Sequence, residues 1–77
     1  MKVRVELQAY LEQYSPNGND VFDYEVPDGA RVLDLVTKLG IPGDLASIII
    51  VGNTNADPAH ELRDGDRVIL IPPLAGG

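Results

Sequence analysis

The organisation of this chain follows from residues 32–40, which read VLDLVTKLG. The apolar residues recur at the i, i+3, i+4, i+7 spacing of one helix face: Val32, Leu35, Val36 and Leu39. Gly40 stands where many helices end, because glycine readily adopts the left-handed conformation that closes the last turn. Pro42 then prevents the helix from continuing. The stretch therefore predicts one short helix with a single apolar face to bury.

The sequence before this helix has the pattern of two strands. Residues 2–7 alternate between charged and apolar side chains, as a half-buried strand does. Residues 21–26 return with the same alternation. Between them, residues 15–19 read SPNGN, a run of turn-forming residues. The first part of the chain is therefore predicted to form a hairpin with one apolar side.

The sequence after the helix contains two further strands. Residues 47–51 and 67–71 are almost wholly apolar, which is typical of strands that are covered on both faces. Residues 55–59 read as a loop. The triplet Asp64-Gly65-Asp66 is a strong turn signal before the last strand. We assign these two carboxylates to the turn rather than to acid–base chemistry.

One short helix with one apolar stripe can cover one face of a mixed sheet. We therefore expect an α+β protein, a β-grasp (ubiquitin-like) roll with a mixed four- to five-stranded sheet and one main helix on one face. The last strand is expected in the middle of the sheet, parallel to the first. Residues 1–71 are predicted to form this domain, and residues 72–77 an extended C-terminal tail.

Composition excludes several classes of function. The chain has 77 residues, no cysteine, one histidine and a formal charge of −6. A nucleic-acid surface would need a basic patch, so this charge favours a basic protein partner instead. Thiolate metal sites are excluded, and His60 alone makes neither a metal site nor a general base without a partner group. No apolar stretch approaches the ~20 residues of a membrane span. We expect a cytoplasmic protein that binds neither nucleic acid nor membrane.

The predicted tail, residues 72–77, reads PPLAGG. Two prolines stop the sheet, because each removes a backbone donor and fixes φ. The glycines lack Cβ atoms, so the end of the tail fits a channel too narrow for other residues. Six extended residues span about 20 Å. The terminal carboxylate could therefore reach a buried site in another protein.

The ending Pro-Pro-x-x-Gly-Gly, together with residues 26–36 and 62–71, resembles the ubiquitin-like sulfur carriers (MoaD/ThiS-like). The resemblance is strongest to the small subunit of molybdopterin synthase and covers nearly the whole chain. Two features depart from it. Arg31 stands where the family commonly has threonine, and residues 15–20 form a longer loop than in the shortest carriers.

The resemblance implies that an adenylating, ubiquitin-activating-like enzyme uses ATP to activate the Gly77 carboxylate. A sulfur donor then converts it to a thiocarboxylate for molybdopterin biosynthesis. Gly76, Ala75, Leu74 and Pro73 would give access to the partner's channel. The sulfur acceptor would be the large subunit of molybdopterin synthase or an equivalent protein. This chain has no phosphate-binding loop of its own, so we expect a carrier with no bound cofactor and no catalytic residues.

Apolar residues also predict a docking surface. Ile49, Ile69 and Ile71 are predicted to lie together on the sheet face opposite the helix and to bind partners there. Ile48 and Ile50 are predicted to face the helix. Two alternative functions remain open: a sulfur carrier for thiamine or another route, and a ubiquitin-like modifier or interaction module.

Overall fold

The computed structural model describes residues 1–73. Five strands and one α-helix follow in the order β1 (Lys2–Leu7), β2 (Val21–Glu25), α1 (Val32–Leu39), β3 (Ile48–Val51), β4 (Thr54–Ala56) and β5 (Arg67–Ile71). Two 3₁₀ helices, Ala9–Tyr14 and Gly43–Leu45, lie in the connections. The strands form one mixed sheet in the order β2-β1-β5-β3-β4. The predicted α+β architecture, a five-stranded mixed sheet with one helix, is confirmed.

Strand β5 lies in the centre of the sheet. It pairs in parallel with β1, with Val5 opposite Val68, and antiparallel with β3, with Val51 opposite the same residue. The central position predicted for the last strand is therefore correct. β2 and β4 form the two edges, through antiparallel pairing with β1 and β3.

The helix lies on one face of this sheet, which we call the inner face; the opposite face is the outer face. The helix contributes Val32, Leu35 and Val36 to the core, and none of them is more than 3% exposed. The strands contribute alternate side chains that point to the same side, including Val3, Val5, Leu7, Phe22, Ile49, Val51, Val68 and Leu70. All of them belong to one apolar cluster. Its burial is the main stabilising contribution in a domain of this size.

The helix begins at Val32 without the usual capping side chain. The backbone N–H of Val32 donates to the carbonyl of His60 at 2.9 Å, and that of Leu33 donates to the carbonyl of Pro58 at 2.9 Å. Asp34 accepts a hydrogen bond of 2.8 Å from the backbone N–H of Arg31. Carbonyl groups of a loop distant in sequence thus accept hydrogen bonds from N–H groups at the start of the helix. A threonine or serine side chain is the more usual acceptor at this place. The helix ends as predicted at Gly40, whose φ is 80°.

Two connections differ from the sequence-based prediction. Residues 54–56, part of which was predicted as loop, form the edge strand β4 because Asn55 and its neighbours pair with β3. The connection between β1 and β2 contains the 3₁₀ helix Ala9–Tyr14 in addition to the predicted turn, where Gly18 has a φ of 82°. Ala9 itself has a φ of 52°, which is unusual for a residue with a Cβ.

The prediction for the faces of β3 is wrong. Ile49 is 4% exposed and belongs to the core, whereas Ile48 is 46% exposed and lies on the outer face. The reason is the register with β5, where Ile49 stands opposite the fully buried Leu70. Directly opposed residues project to the same face of a sheet. Ile49 is therefore excluded from the outer surface.

Ile49 and Ile48 should respond differently to truncation. Ile49→Ala leaves a cavity in the core and is expected to lower the free energy of unfolding by about 2–5 kcal/mol. Ile48→Ala, on the exposed face of the same strand, should cost about 1 kcal/mol or less. Chemical denaturation of the two variants measures the difference. Equal losses would contradict the assignment of faces.

Gly65 allows a test of how much backbone conformation contributes to stability. It has a φ of +85° in the turn before β5. Apart from its chain neighbours, no atom lies within 4 Å of the position that a Cβ would occupy. Gly65→Ala should therefore cost about 1 kcal/mol through backbone conformation alone. Gly43 has equal space and an ordinary φ, so Gly43→Ala should leave stability unchanged or raise it by up to about 1 kcal/mol. Thermal denaturation compares the two variants, and a loss in Gly43→Ala as large as in Gly65→Ala would disprove the conformational explanation.

Candidate functional site

The C-terminal segment leaves the domain at the end of β5. The carbonyl of Leu70 accepts a hydrogen bond of 3.0 Å from the N–H of Gln8, and the carbonyl of Ile71 accepts one of 3.1 Å from the N–H of Ser47. Pro72 is buried and Pro73 is exposed. The backbone is thus hydrogen-bonded up to Ile71, and the next residue is still buried. The predicted site residues Leu74, Ala75, Gly76 and Gly77 lie outside the described residues.

Four isoleucines lie on the outer face beside this exit. Ile48 stands opposite Ile71, and Ile50 stands opposite Ile69, in alternate rows of the β3–β5 pair. Ile48 is 46% exposed, and the other three are half-buried. Directly opposed apolar side chains in a sheet contact one another. We call these four residues the isoleucine surface; it contains the predicted Ile69 and Ile71 but not Ile49.

Sequence reasoning missed Ile48 and Ile50 because the run IIIV of residues 48–51 has no alternation. A uniformly apolar strand does not reveal which residues face the core. The missing information is the register with β5, which places Ile50 opposite Ile69. The sequence contained no other signal that could have corrected the prediction.

The remainder of the outer face is charged but balanced. Arg4 lies 3.2 Å from Asp23, and Arg67 lies 3.6 Å from Glu6. The face carries three basic and three acidic side chains: Lys2, Arg4, Arg67, Glu6, Asp23 and Glu25. The formal charge of −6 therefore belongs to the rest of the molecule. The charged part of the outer face, which borders the isoleucine surface, therefore has no net charge.

The Asp64-Gly65-Asp66 triplet has the structural role that the sequence analysis assigned to it. Asp64 accepts a hydrogen bond of 2.9 Å from the backbone N–H of Lys2. Asp66 accepts one of 2.8 Å from the backbone N–H of Arg63. Both carboxylates thus hold the turn that leads into β5.

His60 contributes its backbone carbonyl to the start of the helix, and the residue is exposed. Within residues 1–73, no polar or charged residue is buried. The same residues contain no group of three or more side chains that could hold a metal ion. An open concave region of about 420 Å³, lined by residues such as Pro27, Asp34 and Lys38, is far from enclosed. Among the described residues, the isoleucine surface beside the C-terminal exit is therefore the candidate site.

No helix in the described residues is long and apolar enough to span a membrane.

Comparisons with known proteins agree on one family. The sequence model of the ThiS family matches residues 17–77. A protein described as molybdopterin converting factor subunit 1 from Pyrococcus furiosus has 30% identity and a TM-score of 0.75, covering 96% of this chain and 99% of its own. No curated protein matches significantly.

Two other solved structures are similar at lower identity. Small archaeal modifier protein 1 from Haloferax volcanii is 22% identical, with a TM-score of 0.72 and coverage of 95% of this chain and 98% of that one. Subunit 1 of the molybdopterin-converting factor from Helicobacter pylori, solved in complex with subunit 2, is 23% identical with a TM-score of 0.61, and both chains are covered completely. At these identities the likeness shows the fold.

The family model matches residues 17–77. The Pyrococcus furiosus protein is 30% identical over nearly the full length of both chains. Both findings agree with the β-grasp fold described above. The chain therefore belongs to the ThiS family of ubiquitin-like sulfur-carrier proteins.

Proposed function

We propose that this protein carries sulfur for molybdopterin biosynthesis, the pathway that supplies the pterin cofactor of molybdenum or tungsten enzymes. In this proposal a partner enzyme activates the Gly77 carboxylate: one carboxylate oxygen attacks the α-phosphorus of ATP, and pyrophosphate leaves. A persulfide of the sulfur donor then attacks the acyl carbon, and AMP leaves. A thiol then attacks the donor's sulfur in the resulting acyl disulfide: the S–S bond breaks, the thiol and the donor form a new disulfide, and the thiocarboxylate leaves.

The observation that carries this proposal is the arrangement around the end of β5. The central strand is hydrogen-bonded on both sides through Leu70 and Ile71, and it leads directly to the segment that begins at Pro73. The isoleucine surface lies beside the same exit. A partner that covers these isoleucines would have the C-terminal segment within reach, because five extended residues from Pro73 span at most about 18 Å.

The chemistry of activation is assigned to the partner. A carboxylate becomes a good electrophile only when an oxygen is converted into a leaving group. The described residues offer no buried polar or charged side chain and no metal-ligand cluster for that step. The carrier would act as a substrate of the adenylating enzyme, with ATP and the sulfur donor bound there.

Similarity to the Pyrococcus furiosus protein over nearly the full length supports the molybdopterin pathway rather than another one. The Helicobacter pylori complex of subunits 1 and 2 supports a large synthase subunit as the sulfur acceptor. A carrier for thiamine or another route would use the same terminal chemistry and differ in its acceptor. A modifier would transfer the activated carboxyl group to a protein amine. The similarity in fold to small archaeal modifier protein 1 from Haloferax volcanii is compatible with that role.

Sulfur loading is the first test. The chain is incubated with the adenylating enzyme, ATP and a sulfur donor, and its intact mass is measured. We expect the mass increase for exchange of one oxygen by sulfur. Deletion of Gly77, or Gly76→Val, should abolish the increase without changing the melting temperature, because a β-branched side chain would not enter a channel built for glycine.

Two results would argue against this proposal. Normal loading of the variant that lacks Gly77 would exclude its carboxylate as the reactive group. Amide-linked conjugates without any thiocarboxylate would identify a modifier. Transfer of sulfur to a purified large synthase subunit, but not to a thiamine-pathway acceptor, would support the molybdopterin route.

Docking on the isoleucine surface is the second test. Ile48→Lys places an ammonium group among apolar side chains and should weaken binding to the adenylating enzyme by about tenfold or more, equivalent to about 1.4 kcal/mol. Val21→Lys is the matched control, since Val21 is 38% exposed on the outer face of the edge strand β2. It adds the same charge away from the isoleucines and should change the Kd by no more than about twofold. Isothermal titration calorimetry measures both variants, and equal affinities would exclude Ile48 from the interface.

A further inference from the structure

The backbone of this protein is fixed up to a defined point at the C-terminal exit. The last ladder hydrogen bonds of β5 are those from Gln8 to Leu70 and from Ser47 to Ile71. They come from opposite sides, so the end of β5 is held between the β1 and β3 sides of the sheet. Whatever follows Ile71 starts from a fixed position.

The next residue, Pro72, is buried although it lies outside the ladder. Proline has no backbone N–H, so its burial leaves no donor without a partner. Its ring fixes φ near −65°, and the following Pro73 restricts ψ of Pro72 to extended values. Both backbone torsions of this buried residue are therefore constrained by covalent structure. Pro73, by contrast, is exposed.

The segment that follows β1 turns away from β5 beside this exit. Gln8 donates the last hydrogen bond on the β1 side, and the next residue, Ala9, has a φ of 52°. Residues with a Cβ adopt this conformation at an energetic cost, and it persists only where the surroundings require it. The turn ends the alignment with β5 and starts the 3₁₀ helix Ala9–Tyr14. On this side, the hydrogen-bonded alignment with β5 therefore ends at Gln8.

From these observations we propose that Pro72 is a positioning residue that sets the direction in which the C-terminal segment leaves the sheet. Building on the proposed carrier function, its role is to limit the orientations of the segment so that the Gly77 carboxylate meets the activated phosphate of a docked partner. Pro72 makes no contact with the reacting atoms. Its effect is assigned to the step after docking, because the proposed docking residues are the four isoleucines and do not include Pro72.

The experiment follows pyrophosphate release in single turnovers with the adenylating enzyme in excess over the carrier. Varying the enzyme concentration gives a limiting rate constant and a half-saturating concentration. Pro72→Ala should lower the limiting rate constant by about two- to fivefold, because one fixed torsion is released. Pro72→Gly should lower it further. The half-saturating concentration should stay unchanged for both variants.

A control separates positioning from stability. Val26→Ala removes a buried side chain directly after the edge strand β2, away from the exit. Loss of folded protein alone would raise the half-saturating concentration and leave the limiting rate constant of the folded fraction unaltered. Val26→Ala is expected to show at most that behaviour, whatever its melting temperature.

The outcomes are distinct. A wild-type limiting rate constant in Pro72→Ala and Pro72→Gly, with normal loading of the wild-type protein, overturns the role of Pro72 and leaves the carrier function standing. A wild-type protein that releases no pyrophosphate overturns both. A reduced limiting rate constant in the Pro72 variants but not in Val26→Ala supports the positioning role.

Discussion

The position of β5 between β1 and β3 is the constraint on which the rest of this structure depends. Its side chains Val68 and Leu70 are fully buried, and its backbone is paired on both sides. A parallel partner such as β1 cannot be joined to β5 by a tight turn, so a crossover connection of about a dozen residues or more must lie between them. β2, the helix, β3 and β4 all lie in that connection, and the helix covers the inner face of the sheet. The strand that carries the C-terminal segment is thereby the best supported element of the sheet.

The outer face has separate apolar and charged regions. Its apolar part is the isoleucine surface, and its polar part is neutralised by pairs such as Arg4 with Asp23. Exposed pairs of this kind contribute little to stability, but they leave the face without net charge. The acidic excess lies on the rest of the molecule and would act at longer range. If the proposed docking holds, attraction to a basic partner would influence the rate of encounter, and the isoleucines would determine how long the complex lasts.

The sequence was sufficient where a periodic pattern or a turn residue determined the structure. The alternation of residues 2–7 predicted strand β1, which the structure contains. The apolar stripe that includes Leu35 predicted the helix, and Gly40 predicted its end. It was insufficient where a tertiary contact decided the outcome. Residues 48–51 are uniformly apolar, so only the register with β5 sets their faces. The helix start depends on carbonyls of residues 58–60, and β4 forms only because β3 offers an edge. The roles of residues 74–77 stay predictions.

The two-sided pairing of β5 also has a mechanical consequence. Hydrogen bonds between strands run across the strand direction, so a pull on the C-terminal segment along β5 loads those to β1 and β3 together. Peeling, in which bonds break one after another, requires a force across the strand at an edge. A partner that draws the segment into a channel would therefore apply tension in the direction in which the sheet is strongest. The domain could sustain that tension while folded, and the buried side chains of Val68 and Leu70 would add to the resistance.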